Sequence, residues 1–315
     1  MNDTVGIIIR TKNRPVFLRR ALKSVQEQTL GRWKIALVND GGEPGIVESI
    51  VASMPEPTRQ RIELLHHAES VGRSEAGNAG FRALDTNYIA VLDDDDTWHP
   101  AFLETCMRTL ADMRGRVNTV KGVAARLHMV SEKIVGGRID LLEVSDFRPE
   151  IAHPDILSLD EMLRENFLGL CGVVLDRQAV IEAGGLFARD LSVFEDWDLY
   201  LRLMTRWDIA GIEQRLANYH FRFTETDSDL GNCVVAQQAD MLLHRQLLLN
   251  RWLRQSLQTR GHGQYANARR HFVTLANQDA ALLNTTAQSI DMVKDGLIAV
   301  AKTVMQMQER LSAGH

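Results

Sequence analysis

The chain has 315 residues, 45% hydrophobic, 24% charged and 6% aromatic, with a formal net charge of -5. That is apolar material enough for one large α/β domain with an extension, or for two modest domains. The negative balance argues against a general nucleic-acid binder, which needs basic residues to neutralise phosphates. Three cysteines, Cys106, Cys171 and Cys233, stand far apart without zinc spacing, which fits reduced thiols better than a disulfide framework. No signal-peptide pattern precedes the first strand and no apolar run is long enough to span a bilayer, so the expected setting is cytoplasmic, with peripheral contact at the inner membrane face left open.

Val5 to Arg10 reads as a continuous apolar strand, of the kind buried on both faces of a parallel sheet. Thr11-Lys12-Asn13-Arg14-Pro15 is a turn, and Pro15 suits the first turn of the following helix, which carries Leu18, Leu22 and Val25 on one face. Lys34 to Asn39 is a second strand, ending in the turn Asn39-Asp40-Gly41-Gly42. A helix through Ile46 and Ile50, a third strand at Ile62 to His66, a loop and helix over Gly72 to Leu84 and a fourth strand at Tyr88 to Leu92 follow. This order predicts a Rossmann-like, mostly parallel, doubly wound α/β sheet with ligands beyond the carboxyl ends of its strands. Thr11, Asp40 and Asp93 to Asp96 all fall at those ends.

After Pro100 the rhythm changes. A helix is expected over Leu103 to Met113, then strands near Val120 to Val130 and at Val135 to Ile139, with a hairpin tip at Val130 to Ile134. A helix within Asp155 to Asn166, a strand at Cys171 to Leu175 and a helix over Arg177 to Ala183 closed by Gly184-Gly185 come next. A loop from Val193 leads into a helix through Leu199 and Leu203, followed by strands at Ile209 to Ile212 and Leu216 to Phe223. Beyond about Asp227 the pattern is helical. Met241 to Leu257 is leucine-rich, Gly261-His262-Gly263 breaks it, and Ile290, Val293, Leu297, Val300, Val304, Met307 and Leu311 alternate steps of three and four like a coiled-coil seam.

Asp93-Asp94-Asp95-Asp96 is the sharpest chemical feature. Four adjacent carboxylates repel one another, and a divalent cation removes the conflict. Hard oxygens suit magnesium or manganese, which also bind a nucleotide diphosphate. Alternate residues of an extended segment share a direction, so Asp93 and Asp95 are expected to point together. The bland alternative is a solvated acidic turn, with Asp96 capping the helix that starts near Pro100. Asp40 can accept a hydrogen bond from a nucleobase imide and Thr11 can bond ribose or base, although both are also ordinary turn residues.

Ile7-Ile8-Ile9-Arg10-Thr11-Lys12-Asn13-Arg14-Pro15, Val38-Asn39-Asp40-Gly41, Leu92-Asp93-Asp94-Asp95-Asp96-Thr97-Trp98 and Phe194-Glu195-Asp196-Trp197-Asp198-Leu199 resemble, in that order, the motifs of family 2 inverting glycosyltransferases with the GT-A fold. Gly172 to Arg177 and Gly184-Gly185-Leu186-Phe187 are similar to the same family, so the likeness covers roughly residues 5 to 225. It implies a GT-A domain over residues 1–225, with a nucleotide-binding half (1–100) and an acceptor half (101–225), and leaves 226–315 as a helical extension. The implied reaction is metal-assisted transfer from a nucleotide-diphosphate sugar to the hydroxyl of a saccharide or glycolipid, in polysaccharide or glycoconjugate assembly.

By that resemblance Asp40 contacts the base, usually uracil or thymine, which makes a UDP- or dTDP-sugar the expected donor ahead of a GDP-sugar. Thr11, Arg14, Arg73, Asp93 and Asp94 are the expected donor contacts. Asp93, Asp95 and His220 are the expected ligands of Mn2+ or Mg2+. Asp196 is the expected general base, taking the acceptor proton while the metal stabilises the leaving diphosphate. Each has a plainer alternative. Glu195 and Asp196 can cap the helix at Trp197, His220 can be a packed strand histidine, and Arg222 can make a surface salt bridge instead of meeting diphosphate. One departure stands out: where the family reads Ala-Arg-Asn, this chain has Ala76-Gly77-Asn78, with Arg73 or Arg14 as the expected replacement.

Two other classes compete. A sugar-nucleotide nucleotidyltransferase would carry a glycine-rich basic loop after strand one, and Ile8 to Pro15 contains no glycine. A nucleotide-binding scaffold would use the helical tail to gather partners; the same seam also admits a homo-oligomer.

Overall fold

In a computed structural model the described residues are 3–135, 138–148, 153, 155–222 and 238–260. Strand β1 (Val5–Thr11) is buried at every position, as its unbroken apolar run requires. It pairs in parallel with β2 (Trp33–Asp40) on one side and β4 (Tyr88–Val91) on the other, and β3 (Ile62–His67) lies parallel outside β2. These four strands form the parallel half of the sheet, as the order of the first hundred residues predicts. Helix α1 (Pro15–Gln26) buries Phe17, Leu18, Ala21, Leu22 and Val25, a helical stripe in which each large side chain is worth at most about 1.5–3 kcal/mol of burial.

Helix α2 (Pro44–Ala52), the single turn α3 (Glu56–Arg59) and helix α4 (Arg73–Ala83) complete this half. Beyond β4 the sheet becomes mixed. β8 (Val173–Asp176) runs antiparallel to β4, and β6 (Val120–Val135) antiparallel to β8. β9 (Asp208–Phe221) is parallel to β6, and the short β5 (Thr97–Trp98) antiparallel to β9. The order is β3-β2-β1-β4-β8-β6-β9-β5, with β7 (Arg138–Asp146) paired to β6. Helix α5 (Phe102–Arg116) precedes β6, and α6 (Leu159–Arg164), α7 (Arg177–Glu182) and α8 (Glu195–Met204) cover the second half.

Two expectations are corrected. Val130 to Ile134 is no hairpin tip, because β6 continues to Val135 with Ser131 and Glu132 buried inside it. The polar run that suggested a turn is polar because Glu132 meets arginines within the fold. Likewise the two strands expected after Trp207 are one, β9, whose pairing with β6 shifts register near Ala125 and Arg126.

The chain divides into two units, Met1–Leu247 and Leu248–His315. The described part of the second is helical, the end of a helix Gln238–Arg260. The expected break at Gly261 to Gly263 and the seam from Ile290 to Leu311 lie outside the described residues. Among the described residues no helix is long and apolar enough to cross a membrane.

Candidate active site

The aspartate run begins two residues beyond β4, where β1 and α1 also deliver their polar residues. Arg10, at the end of β1, holds Asp93 with a two-pronged contact, Nε to Oδ1 and Nη2 to Oδ2, both 2.8 Å. Thr11 Oγ1 donates to Asp94 Oδ2 at 2.7 Å, and Arg14 Nη1 reaches Asp94 Oδ1 at 3.2 Å and Asp95 Oδ2 at 3.3 Å. Arg222 donates to Asp95 as well. The mutual repulsion that suggested a cation is therefore partly relieved by three guanidinium groups. Burial works against ionisation of Asp95, but Arg14 and Arg222 more than offset it and its pKa falls below the ordinary carboxylate value. Asp94 goes the other way, pushed up by burial, with Asp95 adding to the effect against the pull of Arg14.

Asp96 is not a helix cap. Ala101 occupies the N-cap of α5, while Asp96 Oδ1 accepts the His220 backbone N–H at 3.0 Å. Among the described residues no three His, Cys, Asp or Glu side chains converge as a ready cation cage. A magnesium ion shared with a diphosphate needs only one or two protein carboxylates. Asp95, held ionised beside Asp93, is chemically suited to that use.

His220 is placed differently from the metal-ligand expectation. Its Nδ1 lies 3.0 Å from Glu132 Oε2 and its Nε2 3.0 Å from Thr97 Oγ1. A carboxylate only accepts, so Nδ1 carries the proton and Nε2 accepts from the Thr97 hydroxyl, which in turn accepts from Asn218 Nδ2 at 3.0 Å. The ring as placed has no lone pair to give a cation. Burial lowers its pKa, against the pull of Glu132. Arg222 is likewise no surface residue. It is 0% exposed and donates to Glu132 Oε1 at 2.7 Å as well as to Asp95, with its guanidinium 4.3 Å from the centre of the Phe17 ring. Arg20 completes this hub, donating to Glu132 Oε2 at 2.6 Å and to the Asp95 carbonyl at 2.7 Å. Burial opposes the charge on Glu132, yet its bonds with His220 and Arg20 bring its pKa down to about 2.

Opposite in chain order, α8 starts from Phe194, which takes a left-handed backbone conformation (φ 63°). A bulky residue rarely accepts this geometry, and such strain tends to sit where side chains must be aimed. It presents Glu195 and Asp196 in the first helical turn, where the helix dipole favours negative charge. Glu195 is buried, 3.3 Å from Arg10 and 3.5 Å from Arg73. A single guanidinium, Arg10, thus joins the start of α8 to Asp93. Asp196 is half-buried. Its Oδ2 accepts from Asn166 Nδ2 at 3.0 Å and its Oδ1 from the Trp197 backbone N–H at 2.8 Å. Burial, and then the charge of Glu195, push its pKa up to about 6.

Asp40 sits at the end of β2 as expected, but its carboxylate serves its own chain. His67 Nδ1 (3.0 Å) and the Val71 N–H (2.8 Å) meet Oδ1, while the Ser70 hydroxyl (2.7 Å) and the Gly72 N–H (3.1 Å) meet Oδ2. Four donors fill the four lone-pair directions, so direct contact with a base would require one of them to give way. Burial tends to raise its pKa, and these bonds outweigh it to lower it. Arg73 donates to the Ser192 carbonyl at 3.2 Å and faces Glu195, placing it beside α8. Arg10, Arg20 and Glu132 are the residues that sequence reasoning missed. A charge inside the apolar run of β1 was the readable signal for Arg10.

A half-parallel, half-mixed sheet with an acidic turn after its fourth strand is the frame of a GT-A nucleotide-sugar enzyme. Residues 6–126 match the family model described as "Glycosyl transferase family 2". The chain is 25% identical over 248 residues, 78% of its length and 82% of the relative's, to "Uncharacterized glycosyltransferase YwdF" of Bacillus subtilis (strain 168). It is 22% identical over 201 residues to an "Uncharacterized glycosyltransferase" of Haemophilus influenzae, covering 64% of this chain and 62% of the relative. Among solved structures, that of S. aureus TarS 1-349 superposes with a TM-score of 0.51 at 14% identity over 69% of this chain, which spans 60% of the TarS chain. Residues 6–126 thus carry a family 2 glycosyltransferase domain, on a fold similar to that of the GT-A enzymes.

Proposed function

We propose that the protein transfers a glycosyl group with inversion from a nucleotide-diphosphate sugar to the hydroxyl of a saccharide or glycolipid in polysaccharide or glycoconjugate assembly. The observation that carries this reading is the contrast at one strand end. Asp93 and Asp95 are held by arginines, while Asp196, next in the chain to the Glu195 that Arg10 links to Asp93, has its pKa raised to about 6. A general base works best when its pKa lies near the operating pH. Asp196 takes the acceptor hydroxyl proton, the acceptor oxygen bonds the anomeric carbon on one face, and the bond to the diphosphate breaks on the other with its electron pair leaving on the diphosphate. Charge gathers on that leaving group.

Arg10, Arg14 and Arg222, all paired with the aspartate turn, are cationic groups of this chain beside it. Magnesium or manganese, when bound by Asp95 with Asp93, supplies further charge neutralisation there. Thr11 and Asp94 bind the donor's ribose, and Asp40 acts on the base through loop 70–72, which it holds in place. A uridine donor is the first to test, since TarS 1-349 has been solved with UDP-GlcNAc at 13% identity to this chain. The experiment is turnover of UDP-, dTDP- and GDP-sugars, by transfer to water, with and without manganese. The wild type is expected to turn over at least one class, and Asp196→Asn to lose about 10²–10⁴-fold in kcat with nucleotide affinity little changed. Undiminished turnover by Asp196→Asn would sink the assignment.

A further inference from the structure

Position 77 on α4 carries no side chain, and the structure shows what stands in its place. A Cβ built on Gly77 would lie 2.7 Å from Phe187 Cε2 and 2.8 Å from Phe187 Cδ2, with Arg10 Cδ next at 3.6 Å. Phe187 cannot easily retreat. The adjacent Asn78 grips its backbone twice, Nδ2 donating to the Phe187 carbonyl and Oδ1 accepting its N–H, each at 3.0 Å. Ser74, one turn earlier, donates to the Leu191 carbonyl at 2.5 Å, so α4 fixes the segment that leads into α8. The Phe187 ring in turn lies 5.4 Å from the Arg10 guanidinium.

Arg10 is 6% exposed and spends its donors in three directions: both oxygens of Asp93, the Arg73 carbonyl at 3.1 Å and Glu195 Oε1 at 3.3 Å. Arg14 is turned to Asp94 and Asp95, and Arg73 to Ser192 and Glu195. Of the three atoms nearest to a Cβ at position 77, the one that belongs to an arginine is from Arg10, not from Arg14 or Arg73.

We propose that Arg10 is a positioning residue that couples the donor-side carboxylate Asp93 to the acceptor-side Glu195, and that Gly77 and Phe187 form the seat that admits it. The proposal rests on the glycosyl-transfer reading for its catalytic consequence. The planar fork of a guanidinium can satisfy two carboxylates at fixed angles, whereas the ammonium of lysine is a point charge on a flexible stem. Arg10 therefore sets the distance between the bound donor and the first turn of α8, where Asp196 stands, and a displacement of about 1 Å in such an arrangement costs about 100-fold in rate.

The test uses the full chain with Arg10→Lys, Glu195→Gln, the double variant, Gly77→Ala and Gly77→Ala/Phe187→Leu. Arg10→Lys is expected to lose about 100-fold in kcat with donor KM within about threefold of wild type. The double variant should be hardly worse than Arg10→Lys, because both break one bridge. Gly77→Ala should lose kcat by displacing Phe187, and Phe187→Leu should restore much of it. Wild-type kcat in Arg10→Lys, or losses that simply multiply in the double variant, would overturn the proposal. Should the wild type turn over none of the three donor classes, the glycosyl-transfer reading fails but the bridge does not. The same four proteins of the cycle then decide it through melting temperature: non-additive losses support the bridge, and additive ones refute it.

Discussion

Asp95, after β4, and Asp196, at the start of α8, are the same chemistry treated in opposite ways. Asp93, Asp94 and Asp95 meet guanidinium groups from three places in the chain, Arg10, Arg14 and Arg222. Asp196 is bonded to an amide and a backbone N–H, and burial with the charge of its neighbour Glu195 outweighs the pull of Arg73, so its pKa climbs to about 6. Charge density is therefore a poor guide to where a proton is exchanged. Within the dense cluster only Asp95 is driven below the ordinary carboxylate value, while Asp94, like Asp196, is pushed above it.

The comparison can be broken most forcefully at the compensated side. Glu132→Ala removes the carboxylate shared by Arg20, Arg222 and His220. Taking one carboxylate partner from the buried Arg222 and from Arg20 and His220 should cost about 3–5 kcal/mol of folding stability by chemical denaturation. Asp95→Asn is the next test. It should lower kcat by about 100-fold and weaken the response of turnover to manganese, whereas equal manganese response in variant and wild type would remove Asp95 from the metal proposal.

Smaller effects sharpen the account around the donor. Asp40→Asn leaves donors of loop 70–72 without a charged acceptor and should cost about 1–3 kcal/mol, with faster amide exchange at Val71 and Gly72. The sign with pH follows from the lowered pKa of Asp40. Its contribution is full above the ordinary value of 3.8 and is lost as pH falls through its depressed folded value, so wild type and variant should converge in acid. Thr11→Val, which removes one hydroxyl from buried Asp94, should cost about 0.5–1.5 kcal/mol.

How much of this was legible in the sequence follows from the range of the interactions. β1, β2 and β4 were readable because strands buried on both faces are largely apolar runs, and the carboxyl ends of parallel strands announce where ligands go. Thr11, Asp40 and Asp93 to Asp95 were readable as polar residues at those ends, whereas Asp196, in the first turn of α8, was singled out only through the family resemblance. Their partners were not. Arg10 meets Asp93 and Glu195 at separations of 83 and 185 residues, and no local pattern encodes that. Ser131-Glu132-Lys133 looks like a turn until arginines from α1 and from just beyond β9 are brought against it. Asp40 was correctly placed, but its four donors come from a strand and loop whose closure only the fold supplies.

The central claim is that Asp196 is the group that exchanges the proton, and the dependence of kcat/KM on pH tests it most directly. Activity on the preferred nucleotide-sugar should rise with pH through a single step near pH 6, as Asp196 loses its proton, and level off above it. Asp196→Asn should abolish both the step and most of the rate. A wild-type profile that stays flat from about pH 5 to about 8, or a step that survives in Asp196→Asn, would contradict the account.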